Sequence, residues 1–408
     1  SFHSFYPKQK RIVIESYLDF YSVRIQCDDY FMYVCHIKIV AMKQTNTILA
    51  IILLVVLAGC GENKQSTDDL ITVDVSKSYP KKELILQDFM DVEYIALETT
   101  DEFLTQGLVK DVGKKCLLVT NRNNDGDIFI FDRKTGKGVR KINRQGPGAE
   151  EYTRINEIIL DESNGEIFVK SPGNKILVYD LYGKFKRCLN LGWEVSSVFD
   201  YDKNNLICYD MSDYHNKGKE RSKAYHVILS KQDGSITREI FIPFKTINAP
   251  IVTDGSNFVA SYSYQIRLSH GQWTLMDASA DTLYNYAPDG TLTPFIVRTP
   301  SAHNMQPEVF LYMGIHTGRY YFMETVKNVF NFEKGNGFYT DELVYDKKEK
   351  SLYQVAVYNN DYAEKRTVAM TAKSINREIE NVASLNASPL VEIYKKDQLK
   401  EGKLKEIA

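Results

Sequence analysis

A short turn motif recurs along this chain and constrains its fold more than any other feature. In the first copy, Phe131-Asp132 leads through three residues to Gly136, between two apolar runs. An Asp carboxylate accepts backbone hydrogen bonds in such a turn, and Gly adopts the positive φ angle. Further copies follow at spacings of roughly 50 residues, which is the length of one four-stranded propeller blade. The anchors are Asp132, Asp180, Asp233, Asp289, Asp346 and Asp397. They predict an all-β fold, a six-bladed β-propeller.

Composition agrees with this prediction. From Leu70 onward, short apolar or alternating runs are separated by Gly, Asp and Asn turns, a pattern typical of all-β domains. The 27 Tyr and 20 Phe are residue types that fit strands. The net charge of -2 and the scattered Lys and Arg indicate no nucleic-acid partner. The cysteines are too dispersed for a disulfide framework, so we expect Cys116, Cys188 and Cys208 to behave as small buried hydrophobic side chains.

The C-terminal part of the chain predicts how the propeller closes. Residues 361–385 are rich in Ala, Lys, Glu and Arg, and they predict one short helical insert near the C-terminus. The anchor Asp397 lies too near the C-terminus for a complete blade. We therefore expect an N-terminal strand, from residues 71–75 or 92–97, to pair with residues 389–394 and close the ring. Closure removes open sheet edges. The propeller domain is expected to span residues 70–408.

The segment before the propeller predicts where in the cell the protein is located. Lys43 precedes a run without polar side chains at residues 48–57, which is too short to cross a bilayer. Small residues and Cys60 follow, so residues 42–59 resemble a bacterial lipoprotein signal peptide, cleaved before Cys60. The Cys60 thiol would carry the lipid that anchors the protein in the membrane. An uncleaved membrane anchor is the alternative.

The residues around this signal complete the domain plan. Residues 60–69 combine the lipidated Cys60 with a polar stretch, and they are expected to form a flexible tether. Gly61 stands where lipoproteins kept at the inner membrane have Asp. We therefore expect an outer-membrane lipoprotein of the cell envelope that faces the periplasm or the cell surface. Residues 1–41 differ in character from the rest of the chain and are expected to be an upstream extension outside the fold.

Two motifs give a family resemblance. One is Asp91-Val92-Glu93-Tyr94-Ile95-Ala96-Leu97-Glu98-Thr99, and the other is Arg144-Gln145-Gly146-Pro147-Gly148 followed by Glu151-Tyr152. With these motifs the chain resembles the six-bladed β-propeller lipoproteins of Bacteroidota, an NHL-like family of unknown function. The chain differs from the family pattern by Asn143-Arg144, where a glycine is usual, and by one extra residue after Gly148. The resemblance implies fold and envelope location, but no particular chemistry.

The second motif is also a candidate binding loop. Its backbone N–H groups and the Arg144 side chain could line a pocket for an anion. Alternatively, Pro and Gly make it a rigid turn between blades. The candidate residues are Arg144, Gln145, Gly146, Pro147, Gly148, Glu151 and Tyr152.

A second stretch imitates a calcium-binding loop. It places side-chain oxygens at loop positions 1, 3, 5, 7 and 12 around Gly126. However, Asn stands first, a short Asp stands last, and no helices are expected beside it, so a hairpin loop is favoured. The residues are Asn121, Asn123, Asp125, Asp127 and Asp132. No metal, cofactor or catalytic residue is predicted. The histidines, which lack ligand spacing, are expected in loops or the core: His215, His226, His270, His303 and His316.

The sequence therefore favours one function and leaves a second open. It has no nucleophile elbow and no Gly-rich phosphate loop. The favoured interpretation is a membrane-anchored binding or scaffold lipoprotein that recognises a glycan, peptide or protein partner. The alternative is a hydrolase or lyase whose site is assembled at the propeller axis. Converging His or carboxylate side chains at the axis would favour the enzyme, and Tyr, Phe and backbone would favour binding.

Overall fold

The computed structural model describes residues 32–38, 70–261, 264–371 and 379–408. The predicted signal peptide, residues 42–59, and the predicted lipidated tether, residues 60–69 with Cys60, lie outside the described residues.

Blades 1, 2 and 3 are four-stranded antiparallel sheets, as the repeat predicts. Blade 1 contains Leu108–Val112, Cys116–Thr120, Asp127–Asp132 and Gly138–Asn143. Blade 2 contains Glu157–Asp161, Glu166–Ser171, Lys175–Asp180 and Phe185–Asn190. Blade 3 contains Val195–Asp200, Asn205–Asp210, His226–Ser230 and Ile236–Ile240. The first strand of each blade is the inner one, and the inner strands of neighbouring blades contact each other.

Blades 4 and 5 each carry an additional strand from the N-terminal part of the chain. Blade 4 contains Ile266–Ser269, Gln272–Leu275, Thr282–Tyr286 and Leu292–Thr299, with Ile71–Asp74 parallel to the outer strand. Blade 5 contains Val309–His316, Tyr320–Lys327, Thr340–Asp346 and Ser351–Asn359. Lys81–Ile85 runs parallel to Ser351–Asn359, and Arg366–Thr367 pairs antiparallel with it. The N-terminal chain therefore covers the outer edges of two blades.

A three-stranded sheet lies between blade 5 and blade 1. Its strands are Ile379–Asn386, Met32–Lys38 and Asp91–Ile95, in that order. Val92 packs against buried residues of both neighbouring blades, so this sheet occupies the sixth position of the ring. Met32–Lys38 belong to the segment that the sequence analysis sets outside the fold, and here they are the middle strand. The described residues thus form five blades of at least four strands and one smaller sheet.

Two details of the predicted closure are wrong. Residues 389–394 are not a strand, because they lie in the helix Ala387–Lys395, which buries Leu390 and Ile393. The N-terminal strand Asp91–Ile95 joins the sheet of Ile379–Asn386 instead, with Met32–Lys38 between them. Asp397 follows the helix and is not a blade turn. An N-terminal strand nevertheless takes part in closing the ring, as expected.

The predicted helical insert at residues 361–385 is also misplaced. Within it, Arg366–Thr367 and the beginning of Ile379–Asn386 are strands. Tertiary burial decides this, because Val368 and Met370 pack into the core beside blade 5. The α-helices of the described chain are Ala387–Lys395 and Lys403–Ile407, and 3-10 turns cover Leu86–Asp88, Tyr214–Asn216 and Ala302–Asn304. Among the described helices, none has the length and apolar character to cross a membrane.

The core consists of apolar layers between adjacent blades. Between blades 1 and 2, Leu118, Val169 and Leu177 are fully buried. Cys116 and Cys208 are buried and Cys188 is half-buried, so the expectation for the cysteines is confirmed for the first two. Burial raises the pKa of the Cys116 thiol to about 12. Two short hairpins, Ile251–Thr253 with Phe258–Ala260 and Phe330–Asn331 with Asn336–Gly337, lie between blades and within blade 5.

The turn chemistry that the repeat predicts is present. Asp132 Oδ1 accepts hydrogen bonds from the backbone N–H and the hydroxyl of Thr135, and Gly136 has φ +68°. Asp180, Asp233 and Asp289 cap the equivalent turns of blades 2, 3 and 4 through backbone N–H groups. These turns lie at one face of the propeller. The opposite face, where the inner strands begin, is here called the upper face.

Candidate ligand-binding cleft

A cleft of about 480 Å³, here called the main cleft, opens on the upper face. It is lined where the inner strands of blades 1, 2 and 3 begin, by residues that include Leu108, Glu157 and Val195. Tyr264, just before the inner strand of blade 4, also lines it. The main cleft therefore lies at the upper end of the propeller axis. Its volume is within the range of ligand pockets, about 300–1,000 Å³.

Two β-bulges direct polar side chains toward this cleft. The pairing of the inner strand of blade 1 shifts between Val109 and Asp111, and that of blade 3 shifts between Val195 and Ser197. The extra residues are Lys110 and Ser196, and both line the main cleft. A bulge leaves one residue outside the regular ladder and re-aims its side chain. The inner strands thus supply polar groups at the axis without losing their apolar contacts elsewhere.

A buried hydroxyl adjoins the main cleft without a hydrogen-bond partner. Thr120, the last residue of the second strand of blade 1, is 3% exposed and lines the cleft. Its Oγ1 atom has no partner within the described part of the chain. A buried polar atom without a partner costs about 1–3 kcal/mol. Because native proteins rarely leave such groups unsatisfied, this hydroxyl marks a place for a ligand group or water.

The carboxylates of the main cleft are mostly occupied by protein donors. Asp125 accepts the backbone N–H of Asp127 at 3.0 Å and the Asn121 side-chain amide at 2.7 Å. Asp127 binds Asn143 at 2.9 Å and Lys141 at 2.7 Å. Glu157 accepts the backbone N–H of Val198 at 3.0 Å. These hydrogen bonds hold the loops in place, and the charge of Asp127 is balanced by Lys141.

The cations at the rim of the main cleft differ from these carboxylates in how they are paired. Arg122 and Arg154 are exposed and line the main cleft, and within the described chain neither guanidinium has an ion-pair partner. Lys170 donates to the Ser196 carbonyl at 3.1 Å on the same wall. Glu194 is the one lining carboxylate for which no described partner is found. Because Asp127 is paired with Lys141, the lining cations Lys110, Arg122, Arg154 and Lys170 outnumber the remaining lining acids Asp125, Glu157 and Glu194.

A smaller cleft of about 280 Å³, the side cleft, adjoins the main cleft between blades 2 and 3. The two clefts share Asn156, Lys170, Glu194 and Val195. Ser171 lines the side cleft, is 2% exposed, and has an Oγ atom with no partner among the described residues. Ser171 ends the second strand of blade 2, as Thr120 ends the second strand of blade 1.

The predicted binding loop lies behind the main cleft and not in it. None of its seven residues lines either cleft. The Tyr152 hydroxyl donates to the Gly126 carbonyl at 2.7 Å and accepts the Arg144 N–H at 2.9 Å, and burial raises the Tyr152 pKa to about 12. Arg144 Nε donates to the Gly183 carbonyl of blade 2 at 2.7 Å.

The remaining contacts of this loop have the same character. Gln145 Nε2 donates to the Asn124 carbonyl, and Glu151 accepts the Gly148 N–H at 2.9 Å. Gly146 and Pro147 complete the turn. The geometry is that of the rigid inter-blade turn, the second of the two interpretations. It fixes the hairpin of blade 1 that forms one wall of the cleft.

The residues of the imitated calcium loop are not brought together. Asp127 and Asp132 are the two ends of one strand, and Asp132 caps a turn at the opposite face. Asn121 and Asp125 bind each other, and Asn123 is exposed. The stretch forms the hairpin between Cys116–Thr120 and Asp127–Asp132, as favoured from sequence. Across the described chain, no group of three or more His, Cys, Asp or Glu side chains could hold a metal ion.

Buried titratable groups elsewhere belong to the core. Burial lowers the pKa of His226 to about 4 and that of His316 to about 3. His226 lies near Tyr209, whose hydroxyl donates to the buried carboxylate of Asp277 at 3.0 Å. Burial also raises the Asp277 pKa. His303, by contrast, is exposed and contacts the Ser279 carbonyl at 3.0 Å. None of these side chains lines the main or the side cleft.

Sequence reasoning missed the residues that line the clefts. A bulge leaves no mark in the apolar pattern, so Lys110 and Ser196 read as ordinary strand residues. A usable signal was present in the second strands, where Leu-Leu-Val-Thr and Phe-Val-Lys-Ser both end in a hydroxyl residue. Aligning these strands would have indicated Thr120 and Ser171.

The ring of radially arranged sheets, with polar clefts at the upper end of its axis, defines a β-propeller architecture. A family model described as a 6-bladed β-propeller, DUF5128, matches residues 61–384, and the chain belongs to this family. The family assignment confirms the six-bladed fold expected from the repeat.

Solved structures similar to this chain include two from Bacteroides. A candidate exported protein of Bacteroides fragilis is 15% identical, with 67% of this chain and 78% of that chain covered and a TM-score of 0.45. A member of the DUF4221 family from Bacteroides vulgatus is 9% identical, with 72% and 95% covered and a TM-score of 0.43. No curated protein matches the chain.

Proposed function

We propose that this protein is an envelope lipoprotein whose propeller binds a polar ligand in the main cleft without transforming it. The observation that carries the proposal is the unpartnered hydroxyl of Thr120, 3% exposed, beside a cleft of about 480 Å³ at the axis. A ligand that bonds this hydroxyl recovers the free energy lost by its burial.

The wall chemistry supports binding over hydrolysis or elimination. Acid–base catalysis uses carboxyl or imidazole groups that can reach a substrate and exchange protons with it. In the main cleft, Asp125 and Asp127 are held by protein donors and Glu157 accepts a backbone N–H, which leaves Glu194 as the single described lining carboxylate without a partner, not a catalytic pair. The rim instead offers guanidinium groups, which recognise oxygen-rich ligands by directional hydrogen bonds. The described histidines lie outside the cleft.

The proposed membrane location rests on residues 42–60 alone. A lipid on Cys60 would hold the propeller at a membrane, with residues 61–69 as spacer. The expected site is the outer membrane, with the propeller in the periplasm or at the cell surface. Anchoring suits a receptor that gathers ligand at the envelope.

The test is binding of the full-length chain, in detergent, to arrays of glycans and peptides, followed by product analysis. We expect saturable binding without turnover, which weakens at least tenfold in Thr120→Val because one buried hydroxyl bond is lost. Thr120→Ser keeps the hydroxyl and serves as the matched control. Equal binding by Thr120→Val would remove the main cleft from the proposal. Conversion of a bound ligand would establish the enzymatic alternative instead.

A further inference from the structure

We propose that the main cleft and the side cleft are adjacent subsites for a linear oligosaccharide that carries carboxylate groups. This inference rests on the proposed binding function and names the ligand class for the same site. It is carried by the placement of two buried hydroxyls, by the wall that the clefts share, and by lining cations that have no ion-pair partner within the described chain.

The two hydroxyls occupy equivalent positions in neighbouring blades. Thr120 ends the second strand of blade 1 and Ser171 ends the second strand of blade 2. They are 3% and 2% exposed, and within the described chain neither hydroxyl oxygen has a partner. Each lines its own cleft. A ligand with repeating hydroxyl-bearing units can bond both, one unit in each cleft.

The shared wall connects the subsites. Asn156, Lys170 and Glu194 line both the main cleft and the side cleft. Lys170 is also fixed to blade 3 through the Ser196 carbonyl, at 3.1 Å. A linear ligand that spans the two clefts must pass these side chains. The Lys170 ammonium donates hydrogen bonds and the Glu194 carboxylate accepts them. Together they can therefore bind the oxygen-rich linkage between two sugar units.

The charge of the walls selects an acidic ligand. Arg122 and Arg154 at the main cleft have no ion-pair partner within the described chain, and Lys175 at the side cleft likewise has none. Guanidinium groups bind carboxylates through two parallel hydrogen bonds. Since Asp127 is paired with Lys141, it opposes an anion less than a free carboxylate would.

A saccharide fits these walls better than a peptide does. Several recurring modes of peptide recognition use an exposed sheet edge or an apolar or aromatic groove. Both clefts are instead lined mainly by charged, amide and hydroxyl side chains. Of their apolar residues, Ile155, Val195 and Leu191 are buried, and Leu108 and Met211 are half-buried. Hydroxyl groups along a sugar chain can both donate to and accept from such side chains.

The experiment is calorimetric titration of the full-length chain in detergent with a panel of acidic saccharides. The probes are mono-, di- and trisaccharides of galacturonic acid, of glucuronic acid and of sialic acid, with the methyl esters as neutral counterparts. For at least one series we expect the disaccharide to bind at least tenfold more tightly than the monosaccharide, which corresponds to about 1.4 kcal/mol. The methyl ester should bind at least tenfold more weakly than the acid.

Two variants assign these effects to the subsites. Ser171→Ala should reduce disaccharide affinity to that of the monosaccharide and leave the monosaccharide unchanged. Arg154→Gln should weaken the acid but not its ester. Lys134→Gln changes an exposed lysine at the opposite face and should change neither affinity. Unaltered thermal melting of each variant confirms that it is folded.

The outcomes separate this inference from the proposed function. Equal affinities for mono- and disaccharides, or for acid and ester, overturn the two-subsite acidic ligand, and so does the absence of binding across the panel. If the arrays then reveal a neutral glycan or a peptide whose binding is lost in Thr120→Val, the proposed function stands and only the ligand class is wrong. If the binding of no ligand depends on Thr120, both the proposed function and the inference of an acidic oligosaccharide are wrong.

Discussion

Glu324 and Glu342 lie directly opposite each other on neighbouring antiparallel strands of blade 5. Both are half-buried, and desolvation raises the pKa of each carboxyl to about 7. The charge of Glu324 raises the Glu342 pKa further, whereas the buried Arg267 lowers that of Glu324. Ionising these carboxyls in the folded protein therefore costs free energy, and this cost depends on pH.

The pair predicts how stability depends on pH. Because the folded-state pKa lies above the unfolded value of 4.5, the penalty is absent below about pH 4.5 and complete above about pH 7. Stability should therefore fall as the pH rises from 5 to 8. Glu342→Gln should raise the unfolding free energy by about 3 kcal/mol at pH 8, since the pKa rises from 4.5 to about 7 and one pKa unit corresponds to about 1.4 kcal/mol, and have little effect at pH 5.

Denaturant unfolding at several pH values measures this effect. Glu333→Gln, an exposed position in the same blade, is the control and should leave the pH profile unchanged. A Glu342→Gln protein with the same pH profile as the unmodified chain would show that the pair does not titrate in this range.

The hydrogen bonds of the Tyr152 hydroxyl allow a prediction of how much the turn between blades 1 and 2 contributes to stability. Its hydroxyl bonds Gly126 and Arg144, and the side chain is fully buried. Tyr152→Phe removes the hydroxyl and leaves two backbone groups without their partner, so we expect a loss of about 1–3 kcal/mol. Tyr182→Phe removes an exposed hydroxyl and should cost almost nothing. Equal melting temperatures for the two variants would contradict the role of Tyr152.

The close contact between Gly136 and Ala96 allows a prediction about the packing of the N-terminal segment against blade 1. A Cβ atom at Gly136 would lie 1.9 Å from the Ala96 carbonyl oxygen, whereas a Cβ at Gly165 would meet nothing within 4 Å. Their φ angles, +68° and +64°, are nearly equal, so both Ala variants share the same backbone strain. Gly136→Ala should therefore lose about 2 kcal/mol more than Gly165→Ala, as expected for overpacking. Thermal unfolding of both variants tests this difference.

Cys60 predicts the membrane attachment. Cells that express the full-length protein should incorporate labelled fatty acid into it, and Cys60→Ser should abolish both labelling and membrane fractionation. Cys116→Ser, which changes a buried cysteine of blade 1, should leave the labelling intact. A Cys60→Ser protein that stays in the membrane fraction would refute lipid anchoring at this residue.

The repeating unit of the fold could be predicted from the amino-acid sequence alone. Asp132, Asp180, Asp233 and Asp289 stand in blade turns because the turn needs a short-range acceptor and, in each case, a glycine with positive φ. Such turns are local, so they can be recognised without tertiary contacts. The six-bladed count followed from their spacing, although Asp397 proved to follow a helix.

Closure of the ring and the candidate site depend on tertiary contacts. Residues 361–385 have helix-forming composition, yet burial of Val368 and Met370 beside blade 5 outweighs it, because propensity is a weak prior against packing. The clefts combine Thr120, Lys170 and Glu194, which come from three different blades or their connections. Their meeting depends on how the inner strands are arranged around the axis. No local pattern of residues encodes that arrangement, so only the folded ring reveals it.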